Sequence, residues 1–518
     1  MGYLSRRGSG ARGERASGER ATGGRVTGGG ATVDRAASGR ATGGRATGGR
    51  AGFAVACLGA AALTAGCAAL GTASQETAGQ RTDAGAAAGP VTVTILSGAD
   101  LSVSPGSAPV QPDAAGMYSE LVDWWNKYEE PATKIRVVLD TVSGAATAEH
   151  SEMLADAESG DSRFDVYNLD NEWVPEFAAG HFIRSLQGRL SPADFLRQPR
   201  FSGTYDDQLY AAPFTTDVGL LYYRKDLVSP AGLAGVASFS GLVQLARRVM
   251  AAHPGLTTGY AGQFASYEGL TVNLLEIIHA AGGEAFRGNG TIANSAAVVE
   301  GLTELSDAMT SGASGVIPAA ELGYTESQAV AAFAAGDALF MRNWPVYYQQ
   351  LVTAKGKGSS QLAADVGVAP LPFPSVLGGQ DLAIAQASRH PKAALQVIKY
   401  LTSVEAERCL FAVGGFPATR ASAYADNGEL PAGYDNMGPA LCGTAAGPSV
   451  QIGPTILNAV GKALLRPRTR YYTEFSAIIQ DQVPALLRQS MRSNSLQRLV
   501  ARLGRSLNAA ATGLAPQP

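Results

Sequence analysis

Lysine, histidine and cysteine are scarce in this 518-residue chain: 8 of its 41 basic residues are Lys, beside 5 His and 4 Cys. With His and Cys so few and so scattered, little remains to build a metal site, and no CxxC, HExxH, GxxxxGK[ST] or GxSxG pattern occurs. The one GxGxxG, at Gly8, Gly10 and Gly13, has no strand before it and no helical pattern after it, so it is a by-product of glycine abundance. No cofactor or metal is expected. Basic charge is also missing from the body of the chain. The formal charge is −3, and the first 50 residues hold 10 Arg against 3 acids, a surplus of +7, which leaves −10 on residues 51–518. That balance argues against a nucleic-acid-binding core. Past residue 66 there is no uninterrupted apolar run of 18 residues, so no later spanning helix is expected. What is present is 46% apolar residue content, ample for a large core, over a length that suits two or more domains.

The start of the chain reads as an address. Residues 1–50 repeat a unit like ATGGR, with Arg at 15, 20, 25, 35, 40, 45 and 50 and Tyr3 as the only aromatic, a low-complexity leader that cannot form a core. Residues 51–66, AGFAVACLGAAALTAG, are an apolar run after a basic flank, which is the pattern of a signal peptide and too short to span. Thr64-Ala65-Gly66-Cys67 resembles a bacterial lipobox, with Thr64 where Leu is usual; Cys67 is then the acylated new N-terminus. Residues 68–90 are small and polar and are expected to act as a flexible tether reaching roughly 25 Å. The expected location is the extracytoplasmic face of the cell membrane, through a lipid anchor.

From Val91 the pattern alternates. VTVTIL (91–96), IRVVL (135–139), FDVYNL (164–169) and ALFMR (338–342) are β-rich. Met117, Leu121, Trp124, Trp125 and Tyr128 recur at helical spacing, and helices are expected over 150–159, from Pro175 to Gly180, over Phe239–Ala252 with Ser240 as a cap, Glu268–Ala281, Ser295–Thr310 and Pro391–Leu401. This is α/β wiring.

Six segments then follow in one order: DVYNLDNEWVPEFAAG (165–180), APFTTDVGLLYYRKDL (212–227), YEGLTVNLLEIIHAAGG (267–283), FAAGDALFMRNWP (333–345), VGVAPLPFP (366–374) with LGGQDLAIA (377–385), and LLRPRTRYYTEFS (464–476). As a set they resemble the family 1 extracellular solute-binding lipoproteins of bacterial carbohydrate ABC importers, most closely the trehalose/maltose-binding branch, over residues 91 to about 485. The resemblance implies a two-lobed, periplasmic-binding-protein type II-like α/β fold with a hinge and an interlobe cleft. Crossovers are expected near 213–217, 369–374 and 416–419. Lobe one then takes 91–213 plus 374–415, lobe two 214–373 plus 416–490, and 491–518 form a C-terminal helix and tail. The implied partners are a carbohydrate, a di- or oligosaccharide, an importer permease with its cytoplasmic ATPase, and the membrane through lipid; a monomer is expected.

Sugar hydroxyls call for ionised acceptors, Arg returns a fork of donors, and an aromatic ring covers the apolar face of a pyranose. By resemblance, Asp170 and Asp217 are the sugar-binding carboxylates, Trp344 the stacking ring and Arg466 the ligand-contacting Arg. Each also has a plainer reading: either Asp as a cap, Trp344 as core, Arg466 as a hinge ion pair. Where relatives carry Gly-Gly-Trp this chain has Gly378-Gly379-Gln380-Asp381, so Gly379, Gln380 and Asp381 join the candidates in a more polar pocket. Thr215 stands where relatives often place an aromatic, and Asp100 is a possible early acid. With Cys57 lost in the signal and Cys67 acylated, Cys409 and Cys442 remain as a disulfide or as two thiols; a bond closing a loop of about 33 residues would be worth roughly 3 to 4 kcal/mol on the chain-entropy model. The protein is not expected to be an enzyme. Two alternatives stand beside transport: a sugar-sensing or structural lipoprotein of the same fold, and a carbohydrate-active enzyme with paired carboxylates.

Overall fold

The computed structural model describes residues 90–98, 112–142, 146–309, 315–353, 364–425, 447–490 and 496–513. The leader, signal peptide, Cys67, the tether up to residue 89, Asp100 and Cys442 lie outside them. The folded unit is built on two sheets. In lobe one the order is Ile135–Val142, Val91–Gly98, Val166–Asp170, Gln380–Ile384, Ala211–Pro213. The first three run parallel and Gln380–Ile384 runs antiparallel to both its neighbours. A parallel pair needs a crossover, and the helices Pro112–Trp124 and Ala146–Ser159 supply two of them. Val93, Ile95, Val137, Leu382 and Ile384 pack against Leu121, Trp125, Val397 and Leu401 on one face. Leu96, Tyr167, Leu169 and Ala383 meet Met153, Trp173, Val174 and Phe177 on the other. Both faces are covered, as a mostly parallel sheet requires.

Lobe two holds a four-stranded sheet in the order Val366–Pro370, Leu220–Arg224, Ala338–Asn343, Thr258–Ala261. Leu221, Tyr223, Tyr260 and Phe340 face the helices Phe239–Ala252, Glu268–Gly282, Ser295–Ala308 and Tyr472–Ser490. Val500, Leu503, Leu507 and Ala510 of the last helix, Leu496–Ala510, join the same core, so that helix is part of lobe two and not an appendage. Leu220, Tyr222, Met341 and Val366 cover Phe333, Leu351, Ile456 and Val460 on the opposite face.

Local chemistry accounts for most boundaries. The helix Phe239–Ala252 is capped by Ser238, whose hydroxyl accepts from the Gly241 amide at 3.1 Å, and not by Ser240, which instead faces the Ser238 hydroxyl at 3.2 Å. An extended backbone just before the first helical residue, with a side-chain oxygen that reaches the third amide of the helix, is what an N-cap needs. Pro391 opens Pro391–Leu401 from the first turn, where a missing N–H costs nothing.

The chain passes from lobe one to lobe two between Pro213 and Leu220, where Asp217–Val218 pairs antiparallel with Leu377–Gly378. It returns between Pro370 and Gln380. Leu371, Phe373 and Val376 still pack in the lobe-two core, so this passage completes after Val376 and not at 374. Two single bridges widen the ribbon, Thr215 with Ala418 and Val376 with Leu464. Gly379 makes the crossing possible. Its φ is +111°, and a Cβ there would stand 2.3 Å from the Thr215 carbonyl oxygen, so only glycine fits. Among the described residues no helix is long and apolar enough to cross a membrane.

Candidate functional site

The candidate residues gather where the crossings meet the ends of the sheets, in three groups. The first is on the lobe-one side. Asp170 ends the strand Val166–Asp170 and stands opposite Gln380 in register. The Gln380 side-chain amide donates to Asp170 Oδ1 at 2.9 Å, and the Thr215 hydroxyl donates to Gln380 Oε1 at 2.6 Å. Gln380 thus fixes a carboxylate and is itself fixed, with 8% exposure. The helix that follows, Val174–Ala179, begins at Trp173, whose side chain makes no cap hydrogen bond.

The second group is on the lobe-two side. Trp344 follows the buried strand Ala338–Asn343 and is half-buried. The Arg342 guanidinium lies 3.8 Å from the centre of its ring, the indole N–H donates to Glu326 Oε1 at 3.3 Å, and the Tyr222 hydroxyl donates to its carbonyl at 2.7 Å. Arg342 is fully buried and donates through Nε and Nη2 to Glu276 at 2.9 and 2.7 Å. Burial works against the charge on Arg342, and Glu276 more than offsets it, so its pKa stands above the ordinary value. Glu276 also accepts from the Ser375 hydroxyl and the Val376 amide, which ties the ring's pedestal to the return crossing. At Gly378 a Cβ would sit 3.4 Å from the benzo edge of Trp344 and 3.1 Å from the Asp217 Cβ. Trp344 and Asp217 therefore share one corner.

The third group surrounds Arg466. Its Nη1 donates to Glu172 Oε1 at 2.7 Å and to Glu268 Oε1 at 2.9 Å, and its Nη2 donates to Asn171 Oδ1 at 2.9 Å and pairs with the second Glu172 oxygen. Asn171 and Glu172 belong to lobe one, Glu268 to the first turn of a lobe-two helix, so Arg466 ties the lobes together. Glu268 is held in turn by the hydroxyls of Tyr472 and Ser476. Burial pushes Glu172 well above the usual carboxylate range, with Arg466 opposing. Burial also works against the Arg466 charge, yet Glu172, Tyr472, Glu268 and Asp170 outweigh it and leave the guanidinium cationic. The geometry here is that of the hinge ion pair.

Two candidates take other places. Asp381 is 1% exposed and turns to the Ser202 hydroxyl, which donates to it at 3.0 Å; alternation along the strand puts it on the face opposite Gln380. It is a buried acid of lobe one rather than a wall of the pocket. Burial pushes it up to about 7, with the Ser202 hydrogen bond and Arg468 pulling down. Gly379 serves the backbone crossing. Cys409 is 1% exposed at the end of Val404–Cys409 and is disulfide-bonded; Cys442 lies outside the described residues. No group of three His, Cys, Asp or Glu among the described residues is placed to hold a metal ion. Arg342, Glu276, Glu326, Asn171, Glu172 and Glu268 were not singled out beforehand. All but Glu326 stand inside the ordered segments, Asn171 and Glu172 in 165–180, Glu268 and Glu276 in 267–283 and Arg342 in 333–345, which was the available signal.

Residues 111–408, more than half of the chain, match the bacterial extracellular solute-binding proteins. The chain belongs to that family. It is 31% identical over 327 residues to a probable ABC transporter-binding protein of Deinococcus radiodurans, covering 60% of this chain and 74% of that one. It is 25% identical over 300 residues to a probable amino-acid ABC transporter periplasmic-binding protein, y4oP, of Sinorhizobium fredii, covering 56% and 68%. Maltose-bound MalE3 of T. maritima superimposes with a TM-score of 0.65 at 28% identity, over 81% of this chain and 99% of that one. The family's members work in transport as solute-binding subunits of ABC systems, and the fold of this member is the two-lobed, MalE-like one.

Proposed function

We propose that the protein captures a sugar, a di- or oligosaccharide, between its lobes and delivers it to an ABC importer permease, held at the outer face of the membrane by lipid on Cys67. The observation that carries this reading is the corner made by Trp344, Asp217 and Gly378, with Asp170 hydrogen-bonded by Gln380, two residues along from Gly378. Arg342 occupies one face of the indole, so the other is the face a pyranose would cover. Asp217 and Asp170 supply charged acceptors for hydroxyls. The 28% identity to a maltose-bound protein supports the same class of solute. Ligands seated between two lobes need no preformed cavity, because closure buries them.

A thermal-shift screen of the purified protein against mono-, di- and oligosaccharides tests it, with amino acids as the contrasting arm. A ligand at 100 times its Kd adds about 2.7 kcal/mol. A rise with a disaccharide, absent in Trp344→Ala, is the expected outcome; a rise with amino acids and with no sugar would overturn the reading. Mass spectrometry of the mature chain is expected to show a diacylated Cys67 at its N-terminus, and an unmodified thiol there would remove the anchor. Loss of labelled-sugar uptake in cells without the protein separates transport from sensing.

A further inference from the structure

Beside the crossings lies a cavity of about 350 Å³. Asp170, Asp217, Trp344 and Gln380 take no part in its wall. Arg197 and Gln198 contribute from lobe one, His279, Glu284 and Arg287 from lobe two, and the run 463–468 passes between them. The side-chain amide of Gln198 reaches over to the Ala463 carbonyl at 3.2 Å, so the wall itself is stitched across the lobes.

The charge of this wall is unbalanced. Arg468 is half-buried, and no hydrogen bond or ion pair joins it to any described residue. A guanidinium has five donors in a planar fork, and a cation drawn partly out of water without an acceptor is costly. Burial draws the pKa of Arg468 down, with Asp381 behind it pulling the other way. Arg466 also lines the cavity, and its buried Nε has no hydrogen-bond partner. Arg197 is exposed, with its guanidinium packed 5.3 Å from the Phe201 ring centre. Arg287 spends one nitrogen on the Ile292 carbonyl at 2.9 Å. Against Arg197, Arg287 and Arg468 the wall offers one acid, Glu284.

We propose that this cavity is an oxyanion site for a small phosphate- or carboxylate-bearing solute, with Arg468 as its principal donor and Arg197 and Arg287 closing from the two lobes. The volume lies at the lower end of small-molecule pockets, and a planar fork suits either oxyanion. Since the wall comes from both lobes, a bound anion favours their approach, and by linkage a solute held in the main cleft raises affinity for the anion. The site stands apart from the sugar reading and can hold if that reading fails.

Calorimetric titration and thermal melting of the purified protein at low salt test it, with inorganic phosphate and citrate as probes and chloride at matched ionic strength as control. Saturable binding of one of the two probes is expected, weakening as salt is added, and the probe that binds tells phosphate from carboxylate. Arg468→Gln should weaken binding at least tenfold, and Arg197→Gln, at an exposed position that folding does not need, several-fold. Trp344→Ala should bind the anion as the native protein does, which separates this site from the sugar corner. Failure of both probes to bind saturably, a melting shift that chloride reproduces, or unchanged binding in both arginine variants would overturn the proposal. If Arg468→Gln does not fold, Arg197→Gln decides.

Discussion

Arg342 and Arg466 are both buried, and each meets a glutamate with two nitrogens. They differ in whose glutamate it is. Arg342 and Glu276 lie in one lobe with side chains 0% and 1% exposed, and the pair supports the Trp344 ring from below. Arg466 pairs with Glu172 of lobe one and with Glu268 of lobe two, so its full set of partners exists only while the lobes are together. In the first region the pair is a permanent part of a core. In the second, water can replace either partner when the lobes part, so the same chemistry becomes a tie between states.

The sharpest way to break that comparison is Arg342→Met. Removing one member leaves Glu276 buried without its cation, a loss expected at about 3–5 kcal/mol. Urea unfolding reads it, and a loss no greater than that of an exposed substitution would mean that the pair is not a pedestal. Next in size is Trp344→Ala. It should lower affinity for the best solute by more than tenfold, about 2 kcal/mol, by calorimetric titration. Because the ring is half-buried on Arg342, apo stability should fall too, but by less than in Arg342→Met; lost stability with affinity intact would make the ring core.

Arg466→Gln should cost less stability than Arg342→Met, since parting of the lobes gives Glu172 and Glu268 water in place of the lost cation, while the radius of gyration from small-angle scattering rises. A loss as large as that of Arg342→Met would erase the distinction between the two regions.

A further effect is read across pH, and it concerns Asp381 behind the site. Its pKa is pushed up to about 7 by burial, from an ordinary value of 3.8. In the unfolded chain the carboxyl gives up its proton near pH 4, whereas the folded one keeps it until about 7. The stability that this neutral acid allows is therefore full below pH 4 and is lost as pH rises through 7. Urea midpoints at pH 5 and pH 8 should differ less in Asp381→Asn than in the native protein; an unchanged difference would mean that Asp381 is already ionised at pH 5.

Much of the fold was legible because its signals are local. The β-rich runs at 91–96, 135–139 and 338–342 lie inside observed strands, and Pro391 opens its helix at the position expected. Ser240 was the wrong serine by two positions, since Ser238 and Ser240 carry the same chemistry and only backbone geometry tells which hydroxyl reaches an orphan amide. The site was legible in part. Trp344 and Asp217 share a corner and Asp170 is held by Gln380, while Asp381 turns to the other face of its strand because side chains alternate. The sequence could name Gly379, but the reason for it is a carbonyl more than 160 residues earlier.

The sequence by itself determined the class of each segment: an Arg-rich leader, an apolar run ending in Cys67, alternating strands and helices, and an ordered set of motifs that marks the family. These depend on composition, period and neighbours along the chain. The tertiary structure alone decided which polar groups answer one another. Arg466 meets Glu172 at a separation of 294 residues, Gln380 meets Asp170 at 210 and Arg342 meets Glu276 at 66. No local pattern encodes such pairs, because a buried charge is satisfied by whatever the packing of two sheets and their crossings brings within 3 Å of it.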